Sequence, residues 1–255
     1  MIRVAAVGDV HFGTDTPGLL RPHLEAAAGD MDLLLLAGDL TRRGQPAEAR
    51  LLAEELRGLS VPVVAVLGNH DYHHGAEREV AAVLEAAGVR VLEGDHTVVP
   101  VRGQLVGVAG VKGFGGGFAG VCATEFGEPE MKAFAASARL AGEALARALA
   151  GLACDVRIAL LHYSPVEATL AGEPAALWPF LGSYLLAEAV DAGGAALAVH
   201  GHAHSGSAEV GMTPGGVPVR NVARPVIRQP FATIQVTTGG ARSWDSTSTT
   251  SLPRS

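Results

Sequence analysis

Through residue 87 the chain alternates short apolar runs with helix-forming stretches. Residues 2–7 run into Gly8-Asp9, residues 33–37 into Gly38-Asp39, and residues 61–67 into Gly68-Asn69-His70-Asp71. Between and after them, segments 19–28, 46–57 and 77–87 are rich in Ala, Leu, Glu and Arg, side chains that lose little freedom in a helix. Continuous apolar runs of this length, closed by Gly, Asp or Asn, predict strands buried on both faces, linked by helices as βαβ units.

The second part of the chain has a different rhythm. Residues 97–100 and 105–109 predict a hairpin across Arg102-Gly103, and the glycine-rich stretch 110–120 is too interrupted for regular structure. A long Ala-rich helix is expected over 130–149, a strand over 156–161, a helix over 182–191 and a strand over 195–199. Short strands should follow to about residue 237. We expect one domain over residues 1–242, with no internal repeat. Residues 243–255 carry Ser and Thr and almost no core-forming side chains, which predicts a flexible tail.

Composition narrows the function classes. Hydrophobic residues make up 48% of the 255 positions, enough for one core in an α/β domain. A net charge of −7 argues against binding duplex nucleic acid, which relies on clustered Lys and Arg, but metal ions can supply local positive charge for a small phosphorylated ligand. Cys122 and Cys154 form no CxxC pair and are expected as free thiols in a reducing cytoplasm. No signal-peptide pattern and no uncharged membrane-length run is apparent.

The polar residues that end the apolar runs carry the chemistry. Asp9-Val10-His11, Asp39, Asn69-His70-Asp71, His162 and His202-Ala203-His204 each follow a predicted strand. In open α/β sheets, ligands gather outside the carboxyl ends of strands, so residues far apart in sequence can converge there. Carboxylate, imidazole and amide ligands suit Mn, Fe or Zn, and the lack of thiolates disfavours Cu(I) and iron–sulfur clusters. Two such ions about 3.5–4 Å apart can activate water and clamp both oxygens of an in-line displacement. The glycines before Asp39, Asn69 and His202 are expected to permit sharp turns.

In this order the motifs DxH, GD, GNHD, H and GHxH resemble the calcineurin-like metallophosphoesterases over residues 4–204. The resemblance implies a two-sheet β-sandwich flanked by helices, a four-layer α/β fold. It also implies two metal ions and hydrolysis of a small phosphoester, monoester or diester, by water held between them. Asp9, His11, Asp39 and His204 would hold the first ion, and Asp39, Asn69, His162 and His202 the second, with Asp39 bridging. His70 would assist the leaving group, oriented by Asp71. Leu67 before GNH and the GDLTxxG form around Asp39 look more like the bacterial phosphodiesterase branch than the protein phosphatases. A non-catalytic metal-binding scaffold is the alternative from another class; hydrolysis of a non-phosphate bond is disfavoured by the lack of an HxHxDH cluster.

Other residues carry weaker signals. His200 is expected to face away from the site; His73 and His74 follow the GNHD turn, and His23 and His96 carry no signal. The segment Lys112–Phe118 (KGFGGGF) lacks a P-loop ending and reads as a flexible lid. Arg42 and Arg43 lie next to a candidate ligand and could meet a phosphate. Trp178, Phe180 and Tyr163 could line a pocket, with core packing the preferred reading for Phe180.

Overall fold

The structure, a computed structural model, describes residues 1–237. The expected tail, 243–255, and the end of the expected domain lie outside the described residues. The chain begins β1 (Ile2–Val7), α1 (Arg21–Ala26), β2 (Leu33–Ala37), α2 (Pro46–Leu56), β3 (Val63–Val66), α3 (Glu77–Glu85) and β4 (Val89–Leu92). Glu48 reaches back to the Gln45 backbone N–H at 3.3 Å and Pro46 opens the first turn, which fixes where α2 starts. A hairpin, β5 (Asp95–Val101) and β6 (Gln104–Val111), follows, then a small ribbon, β7 (Gly117–Phe118) with β8 (Val121–Cys122). The remaining elements are α4 (Pro129–Ala150), β9 (Val156–Leu161), α5 (Trp178–Leu181), α6 (Tyr184–Ala192), β10 (Leu197–His200), β11 (Gly211–Met212), β12 (Pro218–Asn221), α7 (Arg224–Ile227) and β13 (Ala232–Val236).

These strands build two main sheets. The first has the order β13-β1-β2-β3-β4, parallel except for β13, which runs antiparallel along β1. The second has the order β11-β12-β10-β9-β6-β5, parallel in its centre with antiparallel strands at both edges. Side-chain parity stacks them. Ile2, Val4, Ala6, Leu33 and Leu35 face the second sheet and meet Val106, Val108, Ile158, Leu160 and Val199 in a buried seam. Ala5, Val7, Leu34 and Leu36 face the other way, onto the side covered by α1, α2 and α3, while α4 and α6 cover the outer face of the second sheet. The result is the four-layer α/β architecture that the sequence resemblance implies.

The hairpin turns at Arg102-Gly103 with φ of 48° and 77°, the left-handed pair that suits a tight turn between twisted strands. Strand β4 was not expected from the sequence. It is four residues long with Arg90 exposed, so it presents neither a long apolar run nor full alternation. The glycine-rich segment is also not the expected flexible lid. Residues 115–118 are buried, Gly116 and Gly117 donate to the carbonyls of Pro179 and Gly182, and a Cβ on Gly117 would lie 2.2 Å from the Val121 carbonyl. Its glycines serve close packing under α4 and α5.

Candidate metal centre

The carboxyl ends of both sheets open on one side of the seam, where candidate ligands arrive from opposite directions. Asp9, Asp39 and Asn69 follow β1, β2 and β3; His162, His202 and His204 follow β9 and β10. Ligand-capable atoms of Asp9, His11, Asp39 and His204 lie within 4.8 Å of one another, as do those of Asp39, His162 and His202. Asp39 is common to both groups. Asn69 joins the second through its Oδ1, 2.9 Å from His162 Nε2.

The backbone is bent to make this convergence. Asp9, His11, Asp39 and His202 have φ of 57°, 45°, 51° and 68°, a left-handed conformation that costs a non-glycine residue about 1–3 kcal/mol. The neighbouring glycines are needed mainly for space. Gly38 has φ 81°, as expected for a sharp turn, but Gly68 and Gly201 have no such φ. A Cβ on Gly68 would sit 2.2 Å from both the backbone nitrogen and Oδ1 of Asp39, and one on Gly201 2.3 Å from Asp9 Oδ2. Those glycines are the floor against which the opposite ligand rests.

The donor set suits cations. The His162 Nδ1–H donates to the Ala37 carbonyl at 3.0 Å, which leaves a bare lone pair at Nε2. That nitrogen faces Asp39 Oδ1 at 3.3 Å and Asn69 Oδ1 at 2.9 Å, so the Nε2 lone pair meets two oxygens. Burial holds the His162 imidazole down to about 3, so protonation does not relieve the conflict at neutral pH. His11 repeats the theme: its Nε2 is buried without a hydrogen-bond partner, 3.8 Å from Asp39 Oδ2, and burial lowers the ring to about 4. Ring centroids of His11 and His70 are 4.5 Å apart, and those of His162 and His202 4.8 Å, so collective protonation would place like charges in contact. Positive ions between the carboxylates and the imidazoles satisfy all of them at once.

Asp9 ties the two sheets together. Its carboxylate accepts from the His202 backbone N–H at 2.9 Å and lies 2.8 Å from His204 Nε2; burial pushes its acid up to about 6.

Asp71 does something other than expected. Its carboxylate does not orient His70. It accepts from the backbone N–H groups of Leu40, Thr41 and Gly68 and from the Thr41 hydroxyl, fully buried, and locks the GD turn to the GNHD turn. Burial raises it to about 6. The His70 ring is held instead by the Arg42 carbonyl, which accepts from Nδ1–H at 2.8 Å, while Nε2 points toward Asp39 Oδ2 at 3.8 Å.

The secondary signals resolve in mixed fashion. His200 is buried on the other face, with Nε2 2.8 Å from the Thr169 hydroxyl. His23, His73 and His74 are exposed, and His96 is half-buried. Arg42 pairs with Asp15 at 2.7 Å and, with Arg43, Thr14 and Gln45, lines a cleft of about 430 Å³. Phe180 is not core: it is 57% exposed, and its carbonyl lies 3.3 Å from His202 Nε2. Tyr163 packs its ring 4.2 Å from that of His202, and the Trp178 indole donates to the Glu173 carbonyl. Sequence reasoning passed over the side chain of Lys112. Its ammonium lies 5.0, 5.3 and 5.4 Å from the ring centres of Tyr72, Phe114 and Tyr163. The usable signal was its place at the end of an apolar strand, which it shares with every candidate ligand.

Fold and site together define a two-sheet α/β protein with paired cation-binding clusters at its strand ends. The chain belongs to the Calcineurin-like phosphoesterase family, whose pattern matches residues 2–206. A Synechococcus sp. protein named as a probable cyclic nucleotide phosphodiesterase is 35% identical over 80 residues, 28% of this chain and 31% of that relative. The chain thus matches under a third of that relative's length. Among solved structures, the protein TT1561 of Thermus thermophilus aligns with a TM-score of 0.62 at 20% identity, over 94% of this chain and 99% of its own. Mycobacterium tuberculosis phosphopantetheinyl hydrolase aligns with 0.62 at 17% identity, over 88% and 90%. At these identities the two structures share the fold alone. Among the described residues, no helix is long and apolar enough to cross a membrane.

Proposed function

We propose that this chain is a dinuclear metal-dependent hydrolase of small phosphoesters. Asp9, His11, Asp39 and His204 hold one ion, and Asp39, Asn69, His162 and His202 hold the other. The observation that carries this reading is the bare His162 Nε2 facing the oxygens of Asp39 and Asn69, with Asp39 shared between two clusters. Mn or Fe fits the mixed nitrogen and oxygen donors best, with Zn also compatible. When bound, such a pair polarises phosphoryl oxygens and makes water acidic enough to serve as a nucleophile near neutral pH.

The chain's own residues supply the rest. His70 gives a proton from Nε2 to the departing alcohol oxygen, its ring held by the Arg42 carbonyl at Nδ1. Asp71 acts at one remove, fixing the turn that carries His70 to the turn that carries Asp39. The name of the Synechococcus relative adds cyclic nucleotides to the substrates to test, beside phosphomonoesters. The free thiols of Cys122 and Cys154 support a reducing cytoplasm as its location.

The test is turnover of p-nitrophenyl phosphate, bis-p-nitrophenyl phosphate and a panel of natural phosphoesters, cyclic nucleotides included, by chelated and Mn-reloaded protein, with His70→Ala as control. Mn-dependent turnover, reduced about 10²–10⁴-fold in the variant on esters with poor leaving groups, is expected. Tight metal binding with no turnover on any ester would return the chain to the scaffold reading.

A further inference from the structure

The seam between the sheets is lined at its open end by facing pairs of polar residues, one from each sheet. Asp9 after β1 meets His202 and His204 after β10; Asp39 after β2 meets His162 after β9. In the second sheet the next strand outward is β6, which packs across the seam against β3 and β4 of the first. Glu93 follows the end of β4 and Lys112 the end of β6. In the β6–β9 register Val111 stands opposite Leu161, so Lys112 is level with His162, one strand spacing of about 4.8 Å away. The Lys112 carbonyl accepts from the backbone N–H groups of His162 and Tyr163 at 3.1 and 3.0 Å.

The side chain continues across the seam. Gly110, two residues earlier, faces Val66 and Leu92 of the first sheet, and the Lys112 ammonium lies over the ring of Tyr72 on that same side. Tyr163, whose ring the ammonium also overlies, is itself packed against His202. One aromatic ring therefore separates this cation from the second cluster.

The ammonium is under-used in its surroundings. Its hydrogen bond is to the Gly113 carbonyl at 3.2 Å, and no carboxylate oxygen comes within ion-pair distance among the described residues. Glu93 attracts the ammonium from beyond ion-pair distance, while its oxygens accept from the Tyr72 hydroxyl at 3.1 Å and the Lys112 backbone N–H at 3.4 Å. Three ring faces attract a cation but leave its remaining N–H donors unfilled. A half-buried ammonium with free donors beside a cation-binding cluster is built to meet an anion.

We propose that Lys112 is the substrate's anion clamp: it binds a peripheral phosphoryl oxygen of the ester seated at the second cluster and selects the monoester phosphoryl group over diesters. A monoester phosphoryl group carries about 1.5–2 negative charges at neutral pH against one for a diester, so the additional cation favours the former. The inference rests on the proposed phosphoesterase reading. Its test contains an arm that does not need turnover.

Lys112→Ala, Lys112→Arg and the unaltered chain are loaded with Mn, checked for equal metal content and melting temperature, and titrated calorimetrically with inorganic phosphate. Lys112→Ala is expected to weaken phosphate binding on the order of 10–100-fold, with Lys112→Arg recovering most of it. On p-nitrophenyl phosphate the Ala variant should raise KM by a similar factor with kcat changed less than about threefold, and the penalty should be smaller on bis-p-nitrophenyl phosphate. Phosphate binding unaltered in Lys112→Ala, or absent from the unaltered protein, overturns the clamp. Loss of melting temperature in Ala and Arg variants alike makes the lysine structural and also overturns it. An equal KM penalty on both esters removes the selectivity. Phosphate binding that needs Lys112 in a protein without turnover would uphold the clamp and sink the hydrolase reading alone.

Discussion

Gly68→Ala adds one methyl group at a point where the metal clusters have no room for it. The new Cβ would lie 2.2 Å from the backbone nitrogen and Oδ1 of Asp39 and 2.8 Å from His162 Cε1. Carbon atoms settle near 3.5–4.0 Å, so Asp39, the ligand common to both clusters, must retreat by roughly 1 Å. It has little slack: it already sits at φ 51°, and its Oδ1 accepts from the His70 backbone at 2.8 Å. Overpacking of this kind costs about 1–3 kcal/mol, which a core of this size survives, so the variant should fold. Function should suffer far more, because a displacement of about 1 Å at a reacting centre costs about 100-fold. The assay is metal content after gel filtration in trace Mn, together with Mn-dependent turnover on the best ester. Retention of both ions and of activity within about threefold would mean that Asp39 does not bridge, and the two-cluster reading would fail.

Other consequences can be measured directly. Asp71→Asn places an amide N–H₂ among the Leu40, Thr41 and Gly68 donors, and chemical denaturation should show a loss of about 2–4 kcal/mol that added Mn does not restore. Burial alone would raise the Asp32 acid, but hydrogen bonds from Arg3 and Arg102 outweigh it and hold the carboxyl at about 2 rather than 3.8. A depressed acid stabilises the fold above its unfolded value. With solvent screening at the exposed Arg102, about 1–2 kcal/mol should be lost as pH falls from about 4 to about 2; the same scan on Asp32→Asn should be flatter. Chelation should lower the melting temperature and Mn should restore it, by an amount equivalent to about 2.7 kcal/mol at ion concentrations 100-fold above Kd. A melting curve indifferent to both treatments would count against resident ions.

Much of this architecture was readable from parity and punctuation. The apolar runs that end in Gly8-Asp9, Gly38-Asp39 and Gly68-Asn69 marked three adjacent strands of the first sheet, because strands buried on both faces need no polar positions until the chain leaves the sheet. Strand β4 escaped because Arg90 interrupts a run of four residues at the sheet edge. Contacts made through space were the harder part. Nothing in the spacing of GNHD reveals that Asp71 bonds backward to Leu40 and Thr41, or that a backbone carbonyl rather than a carboxylate holds His70. The glycines at 68 and 201 could be seen, but their reason could not, since it lies in side chains more than 25 residues away in sequence. Phe180, for which core packing is the preferred reading from sequence, stands at the rim beside His202.

Neither cluster draws its members from a single sheet: Asp9, His11 and Asp39 leave the first, and His162, His202 and His204 leave the second. Ions seated there would act as fasteners between two leaves, and affinity for them would gauge how well the leaves are docked. In dilute denaturant the protein should release metal before its helices melt, since parting the seam slightly undoes the clusters while each leaf keeps its own hydrogen bonds. Substitutions deep in that seam, far from any ligand, would then first show themselves as a leak of metal.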